Sequence, residues 1–224
     1  MNFPDGLLPT PWVIGGYFLL VPMVIGLLRQ APWRCFQGRP DLTLVFFLFL
    51  GGVILLWSAR AGLPQNPGLN LHLLGATILT LAFGWPLAML GLLAALLIVT
   101  GMGQAGWAPF SLNALVMVAV PVLVAGLIHE IVHRKLPNHP FIYIFISAFL
   151  GGALTLAGLA AVSATILLLS GTYGLDELVR EYLRYIPLLM FPEAFISGGI
   201  LSILVVYRPE WVMTFDDETY LKGK

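Results

Sequence analysis

Six apolar stretches make up most of this chain: Pro11–Leu28, Leu42–Ala59, His72–Gly101, Leu112–His133, Phe141–Ser170 and Ile186–Val206. A helix that crosses a bilayer needs about 20 apolar residues at ~1.5 Å rise per residue. His72–Gly101 is too long for one such helix, and Gly84-Trp85-Pro86 interrupts it. It reads as two helices, His72–Phe83 and Pro86–Gly101, the first of them short. The expected fold is therefore all-α: a polytopic membrane protein with about seven transmembrane helices in a single transmembrane domain, residues 1–224. Phe141–Ser170 is rich in glycine and alanine, which let helices approach closely in lipid. Leu175–Tyr185 is amphipathic and is expected at the interface.

Composition agrees. Of 224 residues, 59% are hydrophobic and 10% charged, and mean hydropathy is +0.93. Soluble domains carry about 25% charged residues, so a soluble enzyme, a secreted disulfide scaffold and a disordered chain are excluded. Net charge is zero, which offers no basic surface for nucleic acid. The single cysteine, Cys35, rules out an internal disulfide framework and a cysteine-based zinc or iron–sulfur site. Within these 224 residues nothing remains for a separate ATPase or catalytic domain, so any energy source is expected to be another subunit.

Seven crossings place the termini on opposite sides, and basic residues decide which is which. With the N-terminus outside, the inner segments hold Arg29, Arg34, Arg39, Arg134, Lys135, Arg208, Lys222 and Lys224, against Arg60, Arg180 and Arg184 outside. Met1 is therefore expected outside and Lys224 in the cytoplasm, with residues 207–224 a polar cytoplasmic tail. The first ten residues lack the positive region of a secretory signal, so the N-terminus is expected to be retained. Trp12, Trp33, Trp57, Trp85 and Trp107 fall near span ends and read as interfacial anchors.

Three polar features could carry chemistry. His72 follows the Pro/Gly/Asn-rich outer loop Leu63–Leu71, on the side of Met1. Pro4 stiffens the opening Met1-Asn2-Phe3-Pro4-Asp5-Gly6, which can turn at Asp5-Gly6 and fold inward toward His72. An α-amine, a backbone amide and an imidazole suit late first-row divalent metals; His72 could equally cap a helix. Asn113, on the same side, could line a pocket with His72 or cap its own helix. Glu193 lies within the last span, where an acid is either functional or hydrogen-bonded structural glue beside Pro192, Gly198 and Gly199. The third feature is His129-Glu130-Ile131-Val132-His133, which matches H-E-x-x-H: two histidines on one helix face for zinc, and the glutamate as general base. His139 falls at third-ligand spacing, but Leu136 replaces the glycine that lets such a chain turn back, and Pro137 follows.

The opening Met1-Asn2-Phe3-Pro4-Asp5-Gly6 resembles the M-H-I-P-D-G opening of the substrate-binding membrane subunit of energy-coupling-factor cobalt and nickel importers, the CbiM/NikM type. His72-Leu73-Leu74-Gly75-Ala76 is similar to that family's H-L-x-G-A segment. Gly84-Trp85-Pro86 falls at its G-P-W break, and Leu112-Asn113-Ala114 through Pro121 resembles its fifth-helix stretch. Pro192-Glu193-Ala194 to Ser197-Gly198 resembles its P-E-A-x-x-T-G pattern, and Arg208-Pro209-Glu210 its closing R-P-E. The resemblance implies an outer metal site built from Met1, residue 2 and His72, with Co²⁺ or Ni²⁺ as cargo and no resident cofactor. It also implies a transmembrane coupling subunit, cytoplasmic ATPases and the plasma membrane of a bacterium. Residue 2 departs from the pattern: Asn2 has no imidazole, which implies weaker affinity, altered selectivity or a ligand from elsewhere. The competing readings are an intramembrane zinc hydrolase at His129, Glu130, His133 and His139, and a member that has lost its metal site and serves as another carrier or a scaffold.

Overall fold

Prolines mark where the helices begin. A ring that fixes φ and lacks an N–H is tolerated in the first helical turn, where that N–H has no partner anyway. Pro11, Pro40, Pro86, Pro140 and Pro187 occupy that position in five helices. The computed structural model describes residues 2–59, 61–62 and 66–220. Helix α1 is Thr10–Gln30, α2 Pro40–Ser58, α3 Ala76–Phe83 and α4 Trp85–Gly101. Then follow α5, Phe110–Lys135, and α6, Pro140–Leu169. A short α7, Leu175–Glu181, precedes α8, Ile186–Tyr207, and a last turn, α9, spans Asp217–Tyr220. Within α5 the turn Leu115–Ala119 widens just ahead of Pro121, whose missing N–H removes one bond of the regular ladder.

All seven expected segments are helical, but they are unequal. Five helical stretches among the described residues are long and apolar enough to cross a membrane, and α4 is a shorter apolar helix. The expected third span is corrected: α3 has 8 residues, about 12 Å at ~1.5 Å per residue, and cannot cross alone. It begins at Ala76, so His72 lies in extended chain ahead of the helix rather than at its start. Gly75 (φ 68°) and Gly84 (φ 78°) bound α3 in left-handed conformations that a side chain disfavours. All eight residues of α3 are buried, against α4, α5, α6 and α8.

The first and last described segments lie at opposite ends of the bundle. Asn2 bonds to Asn70 and Gln104, beyond the C-terminal ends of α2 and α4. At the other end Glu210 accepts from Arg39 at 3.0 Å, and Trp211 donates to Asp41 at 2.8 Å, both at the start of α2. Small residues set the tightest crossings. A Cβ on Gly152 would lie 3.1 Å from the Glu193 carbonyl, and one on Gly16 2.5 Å from the Ser111 hydroxyl. A two-rung antiparallel ladder, Ala61 with Leu71 and Gly62 with Asn70, keeps the chain ahead of His72 extended.

The expected polar tail is only partly polar. Asp216 and Glu218 are exposed, but Val212, Phe215 and Tyr220 are buried. The Trp57 assignment also changes: its ring is fully buried, not interfacial, and its indole donates to the Leu74 carbonyl at 3.1 Å.

Candidate metal centre

The N-terminal segment is threaded into the bundle. Pro4 and Asp5-Gly6 make the expected turn, with Leu7 N–H donating to the Pro4 carbonyl at 3.4 Å and Gly6 at φ 77°. The Asp5 carboxylate accepts from Ala108 N–H at 2.8 Å, anchoring the turn to the loop after α4. Upstream of the turn Asn2 and Phe3 are buried. Buried backbone groups must be paired, and here two asparagine side chains pair them. Asn113, at the start of α5, donates to the Phe3 carbonyl at 3.0 Å and accepts from Phe3 N–H at 2.6 Å. Asn70 does the same for Asn2: it accepts from Asn2 N–H at 3.3 Å and donates to the Asn2 carbonyl at 3.4 Å. Gly106 N–H adds a second bond to the Phe3 carbonyl, at 3.1 Å.

The side chain of Asn2 is fully engaged. Its Oδ1 accepts from the Asn70 amide, and its Nδ2 donates to the Gln104 carbonyl at 2.9 Å. Met1 lies outside the described residues. Asn113, expected either to line a pocket with His72 or to cap its helix, grips Phe3 with its amide. Asn70 and Gln104 were missed by sequence reading. Both lie in polar loops where nothing marks one amide above its neighbours.

His72 is buried beside Trp57, with ring centroids 6.0 Å apart. Its Nδ1 lies 3.1 Å from the Leu73 carbonyl. A carbonyl only accepts, so a neutral ring held this way donates from Nδ1 and keeps its lone pair on Nε2, the tautomer a metal ligand needs. Asn70, two residues ahead of His72, joins the His72 segment to Asn2. Behind His72 the backbone is fixed by Glu193. One carboxylate oxygen accepts from Leu74 N–H at 2.7 Å and the other from Gly75 N–H at 3.0 Å. Glu193 is buried and accepts from the two amides just ahead of the first turn of α3. Three sequence-picked residues, Asn2, His72 and Asn113, converge at one end, and Glu193 holds the segment that follows His72.

The H-E-x-x-H residues lie at the other end of the bundle. His129 and His133 stack with centroids 6.1 Å apart, His129 meets the edge of Tyr143 at 5.6 Å, and His133 meets Tyr220 at 6.5 Å. Glu130 pairs with Arg134 on the exposed face of the helix. His139 caps α6, its Nδ1 accepting from Phe141 N–H at 3.2 Å. Among the described residues no three His, Cys, Asp or Glu side chains form a group that could hold a metal ion.

The chain matches known proteins over nearly its whole length. The family model CbiM, "Cobalt uptake substrate-specific transmembrane region", matches residues 2–211. No curated protein matches significantly. A crystal structure of a truncated transition metal transporter superposes with a TM-score of 0.76 at 18% identity, covering 92% of this chain and 99% of the other. A second transition metal transporter structure gives 0.75 at 19% identity, covering 92% and 93%. At those identities the likeness is one of fold.

Proposed function

The chain belongs to the CbiM family of cobalt-uptake substrate-specific transmembrane regions, and on that premise we propose that it is the capture subunit of an energy-coupling-factor importer for Co²⁺ or Ni²⁺. In this reading it sits in a bacterial plasma membrane with Asn2 outside and the tail inside. It captures the ion at the end of the bundle that holds Asn2 and His72. A transmembrane coupling subunit and cytoplasmic ATPases supply the energy, and the chain itself catalyses nothing.

One observation carries the reading. The N-terminal segment is buried and gripped residue by residue by Asn113 and Asn70, and Asn70 stands two residues from a buried histidine whose lone pair is on Nε2. The first residues of a domain are poorly ordered unless tied down, and here Asn113 and Asn70 tie residues 2 and 3 into the bundle beside His72. The ligands proposed are the Met1 amine, the backbone nitrogen of Asn2 and His72. The Asn2 N–H that now donates to Asn70 would give up its proton on metal binding, leaving an anionic nitrogen suited to Ni²⁺ or Co²⁺.

A second reading keeps the fold without the metal. The Asn2 carboxamide is occupied by Asn70 and Gln104, so it serves the protein rather than a ligand. A member whose site has closed in this way would act as another carrier or a scaffold. Equilibrium binding of Ni²⁺ and Co²⁺ to the purified chain with a free, untagged N-terminus separates the two: saturable binding supports capture, and none supports the second reading.

A further inference from the structure

Helix α3 is held at both ends by groups from the last part of the chain. The two amides just ahead of its first turn meet Glu193, with Leu74 N–H at 2.7 Å and Gly75 N–H at 3.0 Å. Its last carbonyls meet the tail. Ala82 accepts from Met213 N–H at 2.8 Å, and Leu81 accepts from Thr214 N–H at 3.3 Å and from the Thr214 hydroxyl at 2.7 Å. The final carbonyls of a helix have no partner within it, and buried ones must find one elsewhere. Here the tail supplies it.

The tail that does this is itself fastened. The Thr214 hydroxyl is shared with Tyr143 at 2.7 Å. Phe215 stacks on Tyr220 at 4.7 Å and meets the edge of Tyr143 at 5.2 Å. Trp211 is tied to Asp41. These bonds make residues 208–220 a strap across the bundle end opposite Asn2. Between strap and site, α3 is a single stiff element, buried over all its residues and pinned along its length by Thr77 bonding to Thr155 at 3.2 Å.

We infer that Thr214 and Glu193 are positioning residues acting on His72 through α3: the strap fixes one end of the helix, the carboxylate fixes the other, and a change at either end is transmitted to the opposite one. The structural linkage stands on the bonds above. Its consequence for metal capture rests on the function proposed for His72. Coupling between two ends is reciprocal, so a change at either end is read at the other.

The experiment uses the full chain in lipid nanodiscs, with Thr214→Val, Thr214→Ser and Glu193→Gln beside the unaltered protein. Valine keeps the shape of threonine and loses the hydroxyl; serine keeps the hydroxyl. Metal-free amide exchange is read at Leu74, Gly75 and Met213. Thr214→Val is expected to speed exchange at Leu74 and Gly75 by about fivefold or more, Thr214→Ser to leave it unchanged, and Glu193→Gln to speed exchange at Met213. Exchange that rises only beside each substitution overturns the inference. Should Thr214→Val not fold, Tyr143→Phe removes one bond to the same hydroxyl and is expected to give the same pattern at smaller amplitude; an effect confined to the strap overturns the inference equally. Ni²⁺ binding is then measured on the same samples, with about fivefold weaker affinity expected for Thr214→Val and none lost for Thr214→Ser. If the unaltered chain binds neither Ni²⁺ nor Co²⁺, the capture reading fails, while the exchange data decide the linkage separately.

Discussion

Asn113 holds Phe3 by both sides of its backbone, accepting from its N–H at 2.6 Å and donating to its carbonyl at 3.0 Å. One side chain thereby does what a neighbouring β-strand would do. It commits the N-terminus to the bundle interior, with the Phe3 ring fully buried.

Removing that grip should free the segment. Asn113→Leu leaves the Phe3 N–H without its acceptor and its carbonyl with one donor fewer, at a cost of about 1–3 kcal/mol for a buried unsatisfied group. Asn113→Asp keeps the acceptor but sets a buried carboxyl oxygen against the Phe3 carbonyl, so it should be at least as costly. Thermal unfolding in detergent and proteolysis of the N-terminal segment are the measurements. Both variants matching the unaltered protein would show that the grip contributes nothing.

Glycine at position 106 should be required by space. A Cβ there would lie 2.6 Å from the backbone nitrogen of Asp5 and 2.8 Å from its Oδ1. Backbone cannot swing aside as a flexible side chain can, so Gly106→Ala should cost about 1–3 kcal/mol and loosen the N-terminal segment. Gly126→Ala, with nothing within 4 Å of the added carbon, is the control and should be close to neutral. Equal stability of the two variants would contradict the close approach.

Cys35 reports orientation. It lies between α1 and α2, at the end that also holds the tail, and is partly buried. That burial pushes its thiol above the ordinary pKa, outweighing smaller lowering by a backbone hydrogen bond and by Arg39. The thiolate is the reactive form, so alkylation near neutral pH should be slower than for an exposed cysteine and should accelerate as pH rises. A membrane-impermeant maleimide should label Cys35 in inside-out vesicles and not in right-side-out ones. The reverse pattern would invert the orientation drawn from the basic residues.

Replacing Asn2 by histidine should strengthen metal capture. A carboxamide oxygen is a hard, weak donor for Ni²⁺ or Co²⁺, and imidazole is a better one. A gain of at least about tenfold, or about 1.4 kcal/mol, is expected in a Ni²⁺ titration of Asn2→His. Unchanged affinity would mean that residue 2 contributes only its backbone.

What was legible in the sequence follows from locality. Apolar runs place α1, α2 and α5 within a few residues of their observed ends, because a spanning helix satisfies its own backbone. The start of α3 was misplaced because the amides of Leu74 and Gly75 are taken by Glu193, more than 100 residues away, and no local pattern announces that. The strap was hidden for the same reason: Val212, Phe215 and Tyr220 are spaced like nothing regular, and their partners are Tyr143 and the end of α3. His72, Asn113 and Glu193 stood out as polar groups in apolar surroundings. The five letters of H-E-x-x-H stood out equally; in the structure Glu130 turns to Arg134, and His129 and His133 pack against Tyr143 and Tyr220.

The account turns on where metal binds, and one titration addresses that directly. Ni²⁺ and Co²⁺ are titrated into purified chain with an untagged N-terminus, beside His72→Ala and His133→Ala. The account requires one saturable site per chain that disappears in His72→Ala and persists in His133→Ala. Metal retained without His72, or lost only without His133, would contradict it and move the centre to the opposite end of the bundle.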